Sequence, residues 1–348
     1  MPSKKQIAID AVLKATKLCE QVQAEKVSTD TTQKNDRSPV TVADFGSQAL
    51  ICKAIGDAFP EDVIVAEENA QSLKQNRHLL ARVTDYVNRF CKEGSRHAPS
   101  CRPQESAVSA ETVCEYIDRG NGEVGQNFWT LDPIDGTKGF LRRDQYAVAL
   151  AWIVDGEIQL GVLGCPNLPH QLARAETDTP RHENLTLQED VTRGCLFVAA
   201  RGQGTALYTT TGTFLAKVHV SENAHRLAES FESTHGDSDA HSNIAKQLGL
   251  TAPPIQMDSQ AKYGIVARGE ASLYIRLPNP AFPDYRECIW DHAAGLIVVE
   301  EAGGTVTDAR GAPLNFMTGR RMVENHGIVA TNGNPLHTQV LSIVSVML

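Results

Sequence analysis

Asp132-Pro133-Ile134-Asp135-Gly136-Thr137 is the stretch of this chain with the clearest capacity for chemistry. Two carboxylates three residues apart point to opposite faces of a straight strand, so they converge only where the chain turns between them. Pro133, with no N–H donor, and Gly136, with no Cβ, supply such a turn. The apolar run Phe128–Leu131 before it reads as a buried strand ending at Asp132. Gly136 lets backbone N–H groups approach an anion, and Thr137 sets a hydroxyl beside them. Two acids, a phosphate-sized nest and a hydroxyl suggest a metal-dependent phosphoester site. A strand-end turn with an Asp cap accounts for the same residues taken alone.

Three further acidic positions invite the same question. Thr41-Val42-Ala43-Asp44, introduced by Pro39, has the form of a helix start with Thr41 as N-cap, and a capping acid explains Asp44 without any chemistry. Glu67 and Glu68 end the β-branched run Asp62–Ala66. Adjacent like charges at a buried strand end need a counter-charge, whereas at the surface they are ordinary solvated residues. Asp291, in Trp290-Asp291-His292-Ala293-Ala294-Gly295, stands where an N-cap belongs, with Gly303 or Gly304 closing the helix. His292 reads as a packed or surface histidine, since no second His or Cys lies at ligand spacing.

The elements that must carry these residues follow from periodicity. Ile7, Ala11, Ala15, Leu18 and Val22 mark one stripe of a first helix. A polar linker, Ser28–Ser38, leads to the second helix, which runs through Phe45, Ala49 and Cys52. Residues 71–127 read as an excursion between two strands, with a helical stripe at Leu79, Leu80, Val83, Val87 and Phe90 and the position of a lid over the site. Asp155-Gly156 between apolar runs signals a type I′ hairpin, and a second hairpin turns around Arg201–Gly204. From about Glu222 helices and short strands alternate. The expected division is an N-terminal α+β domain, 1–222, carrying metal-binding motifs and the inserted segment 71–127. A C-terminal α/β domain, 223–348, follows.

With 348 residues and 41% apolar content, the chain has the bulk of a globular protein of two domains or one large layered unit. A net charge of −9 argues against a general nucleic-acid or membrane binder, though not against a local basic pocket. Eight cysteines without Cys-x-x-Cys or Cys/His zinc spacing read as reduced thiols. No apolar run is long enough to span a membrane, and a soluble cytoplasmic protein, monomeric, is the expectation.

Taken in order, Ser-Pro-Val-Thr-Val-Ala-Asp44, Ala-Glu67-Glu, Asp132-Pro-Ile-Asp-Gly-Thr and Trp-Asp291-His-Ala-Ala-Gly resemble the inositol monophosphatase superfamily of magnesium-dependent, lithium-sensitive phosphatases. Thr137–Arg142, Leu163–Leu168 and Asp258-Ser-Gln-Ala-Lys-Tyr-Gly264 look like its 3′(2′),5′-bisphosphate nucleotidases. The resemblance implies an α/β layered αβαβα sandwich of the inositol monophosphatase and sugar phosphatase kind. It implies that Glu67, Asp132, Asp135 and Asp291 bind Mg2+, two or three ions, with the Ile134 carbonyl as a further ligand. All-oxygen ligands suit that hard cation. Asp44 and Thr137 match the pair that activates the attacking water, and Gly136 and Thr137 would hold phosphoryl oxygens through their N–H groups. Ser259, Lys262, Arg276 and His235 match positions that meet adenosine and its 5′-phosphate. Glu232 stands where related nucleotidases often carry histidine, and Ala66 where the family usually has glycine.

The implied activity is removal of the 3′-phosphate of 3′-phosphoadenosine 5′-phosphate, giving AMP, with 3′-phosphoadenosine 5′-phosphosulfate as a further candidate. That would place the enzyme in sulfur metabolism, acting on a small nucleotide. An inositol-phosphate phosphatase is the alternative within the fold, and a non-catalytic nucleotide sensor the alternative outside enzymology.

Overall fold

Ser3 starts the first helix, its Oγ accepting from Gln6 N at 3.2 Å, and the stripe Ala11, Ala15, Leu18 and Val22 is buried along α1 (Lys4–Ala24). The structure, a computed structural model, describes residues 3–25, 31–33, 39–92, 107–171, 192–231, 238–279, 281–282 and 284–347. The sequence suggested only a polar linker after α1. A two-stranded antiparallel ribbon forms there instead, β1 (Thr31–Gln33) with β2 (Pro39–Thr41), Thr31 opposite Thr41. Ribbon pairing satisfies backbone groups with little help from apolar side chains, which is why composition did not reveal it.

The chain continues through α2 (Val42–Ala58), β3 (Val63–Ala66), α3 (Gln71–Gln75), α4 (Arg77–Lys92), α5 (Ala110–Asp118) and β4 (Asn127–Asp135). After α6 (Thr137–Arg142) come β5 (Ala147–Val154), β6 (Glu157–Pro169), β7 (Arg193–Ala200), β8 (Thr205–Thr209) and β9 (Phe214–Val218). Strands β3 to β9 form one seven-stranded sheet in sequential order, antiparallel except for the β3–β4 pair. Both expected hairpins are present, and Asp155 (φ 50°) with Gly156 (φ 83°) makes the left-handed pair a type I′ turn needs. Strand β9, Phe214–Val218, was not expected: its first four residues are exposed and carry no inward alternation to betray it.

A parallel pair needs a crossover, and residues 71–127 are that crossover. The lid expected there is not what the described helices form. Leu79, Val83, Tyr86, Val87 and Phe90 of α4 and Val113 and Ile117 of α5 share a core with α1 and α2. Their apolar stripe finds its partner in that layer.

The second half comprises β10 (Leu227–Glu229), α7 (Ser238–Gln247), β11 (Ile255–Gln256), α8 (Ala261–Ala267) and β12 (Leu273–Arg276). It ends with α9 (Ala293–Glu300), β13 (Thr305–Thr307), β14 (Ile328–Thr331) and α10 (Leu336–Val344). The five strands order as β11-β10-β12-β14-β13. Helices α8 and α9 lie between the two sheets and share a core with both, and every residue of α8 is buried. A helix flanked by sheets must be apolar all round, and Leu296–Val299 shows it. Gly295 serves this crowding, because a Cβ there would stand 2.3 Å from Tyr263 Cδ2. Helices α7 and α10 close the outer face through Ile244, Val340 and Val344. The layers therefore run helix, sheet, helix, sheet, helix, the αβαβα order expected.

Candidate active site

The site is built where β4 leaves its ladder. The sequence placed the strand's end at Asp132, but β4 runs on to Asp135 through a bulge: Asp132 pairs with Ala149 and Asp135 with Ala147, so Pro133 and Ile134 together face Val148. A bulge bends the strand and re-aims its side chains, so two acids three apart reach one side. Asp132 Oδ1 accepts from Ile134 N at 3.1 Å, and Ser47 Oγ on α2 donates to Pro133 O at 3.0 Å, fixing the bend from two directions.

Around it the acids gather. Glu67 follows β3, the strand beside β4, and its N–H donates to Leu131 O at 3.1 Å. Gln48 of α2 holds the next residue, donating to Glu68 O at 2.6 Å and accepting from Glu68 N at 3.0 Å. Ala66, where glycine is usual, fits because Gly120 faces it: a Cβ on Gly120 would be 2.6 Å from the Ala66 Cβ. Asp291 does not cap α9, as its position suggested. It ends a short 3-10 turn, Ile289–Asp291, and His292 stands at the N-cap without a side-chain cap bond.

Burial, then the charges of Glu67, Asp135 and Asp291, push the Asp132 carboxyl well above the usual range, and it shares a hydrogen bond with Glu67. Burial, then Asp135, likewise raises Asp291 well above its ordinary value, Arg276 opposing. Asp135 is raised by burial and held back by Lys262 and by Gln260 N, which donates to its Oδ2 at 2.6 Å. Oxygen acids set this close, with Asp132 and Asp291 raised partly by their acidic neighbours, form a donor set matched to a hard divalent cation. Glu67, Asp132, Asp135, Asp291 and the Ile134 carbonyl could hold it.

Asp44 is both cap and candidate base. Its Oδ2 accepts from Thr41 N at 2.8 Å and Thr41 Oγ1 at 2.6 Å, while Oδ1 lies 3.4 Å from Thr137 Oγ1. The capping acid is buried against the bulge, and one carboxylate oxygen serves each purpose. Gly136, left-handed at φ 85°, starts α6 without a side-chain cap bond, so the first helix N–H groups are not taken by a capping side chain.

The second half supplies the opposite wall. Ser259, in a left-handed conformation (φ 70°), packs so close to Gly136 that a Cβ there would be 3.1 Å from its own. Arg142 of α6 pairs with Asp258. Lys262 is buried, donates to Met257 O at 3.2 Å and lies over the Tyr274 ring; burial pushes its pKa down to about 8 against the pull of Asp135 and Asp258. Arg276 meets Glu287 (Nε to Oε1, 2.8 Å) and Tyr285 Oη (3.2 Å). His235 and Glu232 lie outside the described residues.

Several residues here carried no signal of their own in the sequence. Gln260 donates to Trp290 O and accepts from Gly295 N, both at 3.0 Å, while its backbone holds Asp135, so one residue links three elements. Glu287, Asp291 and His292 place ligand atoms within 4.8 Å of one another. Within that triad Glu287 is already paired with Arg276. His292 is a packed histidine, Nδ1 2.8 Å from Tyr263 Oη and Nε2 3.3 Å from Glu287. Partners such as Gln260 and Asp135, or Tyr263 and His292, are far apart in the chain and visible only through space.

Comparison with known proteins agrees. The profile of the inositol monophosphatase family matches residues 3–346. A 3′(2′),5′-bisphosphate nucleotidase of Schizosaccharomyces pombe is 39% identical over 340 residues, 94% of this chain and 91% of that protein. A 3′,5′-bisphosphate nucleotidase 2 of Arabidopsis thaliana is 41% identical over 327 residues, 92% of this chain and 90% of its own. The inositol monophosphatase of Anabaena (Nostoc) sp. PCC 7120 shares the fold, with a TM-score of 0.57 at 20% identity over 98% of this chain and 94% of its own. With the layered fold, the acid-bearing bulge and a match from end to end, the chain belongs to the inositol monophosphatase family.

Proposed function

We propose that this protein is a magnesium-dependent phosphatase that hydrolyses the 3′-phosphate of 3′-phosphoadenosine 5′-phosphate to give AMP and phosphate. The observation that carries this reading is the Asp258–Gly264 segment against Gly136, which sets a wall with Lys262 and Arg276 beside the acid cluster. A second phosphate calls for such cations, which a monophosphate does not need. The similarity to nucleotidases extends over nine-tenths of the chain and supports the same substrate.

Bound divalent cations would lower the pKa of a water and draw charge from the phosphoryl oxygens. The chain's own groups do the rest. Thr137 Oγ1 can donate to Asp44 Oδ1 or to Ile134 O, 3.2 Å away. Donating to Asp44 leaves its oxygen lone pair for the attacking water. As the water oxygen bonds to phosphorus, its proton passes to Thr137 and the threonine proton to Asp44. The bond to the ribose 3′-oxygen breaks, and that oxygen takes a proton from solvent. The N–H groups at the start of α6 face the charge that builds on the phosphoryl group. Lys262, held inside the wall, contributes as a fixed charge behind the pocket surface, and Arg276 presents its guanidinium from the Glu287 ion pair.

Phosphate release from 3′-phosphoadenosine 5′-phosphate and from inositol 1-phosphate, each with and without magnesium, tests this. Fast magnesium-dependent release from the nucleotide is expected. Faster release from the inositol ester would keep the acids and discard the nucleotide reading; no release from either would leave a nucleotide sensor.

A further inference from the structure

Arg320, in the loop between β13 and β14, reaches across the molecule to the acid cluster, although no motif marked it. Its Nη2 donates to Ala66 O, the carbonyl just before Glu67, a contact between residues 254 positions apart. Its guanidinium lies over the ring of Trp290, 4.7 Å from the centroid, and Trp290 is the residue just before Asp291. The Arg320 backbone carbonyl also accepts from Ile289 N at 3.1 Å, in the 3-10 turn that carries Asp291. One half-buried side chain thus grips the neighbours of two acids, one from each half of the chain.

We propose that Arg320 is a positioning residue that holds Glu67 and Asp291 at the separation a divalent cation requires. The inference rests on reading the acids as a cation site. Two physical effects oppose each other here, which makes the sign of the result informative. A guanidinium near Glu67 repels an incoming cation, so as a charge alone Arg320 would weaken binding. As a planar clamp, bonded on one edge and stacked on its face, it strengthens binding by fixing ligands in advance. Lysine keeps the charge but not the planar stack and fork.

The test is thermal unfolding of the full chain titrated with magnesium chloride and no substrate, for wild type, Arg320→Ala and Arg320→Lys. The magnesium concentration giving half of the stabilisation should rise about tenfold in Arg320→Ala, at the low end of losses seen for outer-shell partners. Arg320→Lys should recover less than half of that loss, and the magnesium dependence of phosphate release should shift in parallel. If Arg320→Ala does not fold, Arg320→Lys alone should still require more magnesium than wild type. Variants that bind magnesium as tightly as wild type, or more tightly, overturn the proposal while leaving the cation site intact. A wild type whose stability ignores magnesium overturns both.

Discussion

Asp132 illustrates how a buried acid strains the fold that carries it. Its carboxyl is buried with Glu67, Asp135 and Asp291 around it, and its pKa is raised by burial first and those charges next. A carboxyl whose folded pKa is raised makes the folded state bind more protons than the unfolded one. Without divalent cation its contribution therefore becomes less favourable as pH rises from the ordinary carboxylate range through the raised folded value. Asp132→Asn removes that term. We expect the metal-free variant to melt at a higher temperature than metal-free wild type, with the gap wider at pH 8 than at pH 5. Magnesium should stabilise it less than it stabilises wild type. Its turnover should fall by at least about 100-fold, beyond the usual loss for an outer-shell partner. Calorimetry at both pH values with and without magnesium, beside phosphate release, checks this; wild-type turnover would remove Asp132 from the cation site. The acid itself was legible from its motif, but its hydrogen bond to Glu67 was not, because the two belong to neighbouring strands.

Two elements turn ordinary helix and strand chemistry into site geometry. The start of α2 is a capping box in which Thr41 satisfies Ala43 N at 3.0 Å and also holds Asp44. Losing such a cap costs about 1 kcal/mol of stability. Thr41→Ala should show that loss in denaturant and also a lower kcat, since the Asp44 carboxylate keeps the Thr41 N–H but loses the hydroxyl bond that helps to aim it; Thr41→Ser should restore both. A kcat unchanged in Thr41→Ala would reduce Asp44 to the cap that the sequence alone allowed. At the junction of β4 and α6, Gly136 holds φ 85° against Ser259. A left-handed non-glycine residue costs about 1–2 kcal/mol, and the added Cβ would press on the Ser259 wall. Gly136→Ala should be destabilised by that order and lose most of its turnover. Equal losses of kcat on nucleotide and inositol esters would place the fault in the phosphate cradle; a rise in KM for the nucleotide alone would place it in the Ser259 wall.

At the scale of the molecule, the central helices bind the halves together. Residues of α8 and α9 share one core with both sheets, and the Gln260 backbone bond to Asp135, Arg320 and the Arg142–Asp258 pair cross between the halves. Although the sequence divides at about residue 222 in its pattern of elements, we expect one cooperative unfolding transition. Trp129 and Trp152 pack in the first sheet with their ring centroids 4.9 Å apart and tilted by 45°, so tryptophan fluorescence should coincide with far-ultraviolet circular dichroism in urea. Two separated transitions would show that 1–222 and 223–348 fold independently. Among the described residues no helix is long and apolar enough to cross a membrane.

By itself the sequence determined what depends on neighbours along the chain. The α1 stripe, the Asp155-Gly156 turn, the Thr41 cap and the order of acidic motifs follow from residue type and short spacing, because helices, turns and caps are local. Tertiary structure decided what depends on distance through space. It bulged β4 instead of ending it at Asp132, moved Asp291 out of the cap, put the 71–127 helices into the core, and brought Gln260, Glu287 and Arg320 to the acids. Those outcomes depend on how two sheets register against one shared layer of helices. No spacing within a single segment encodes that register.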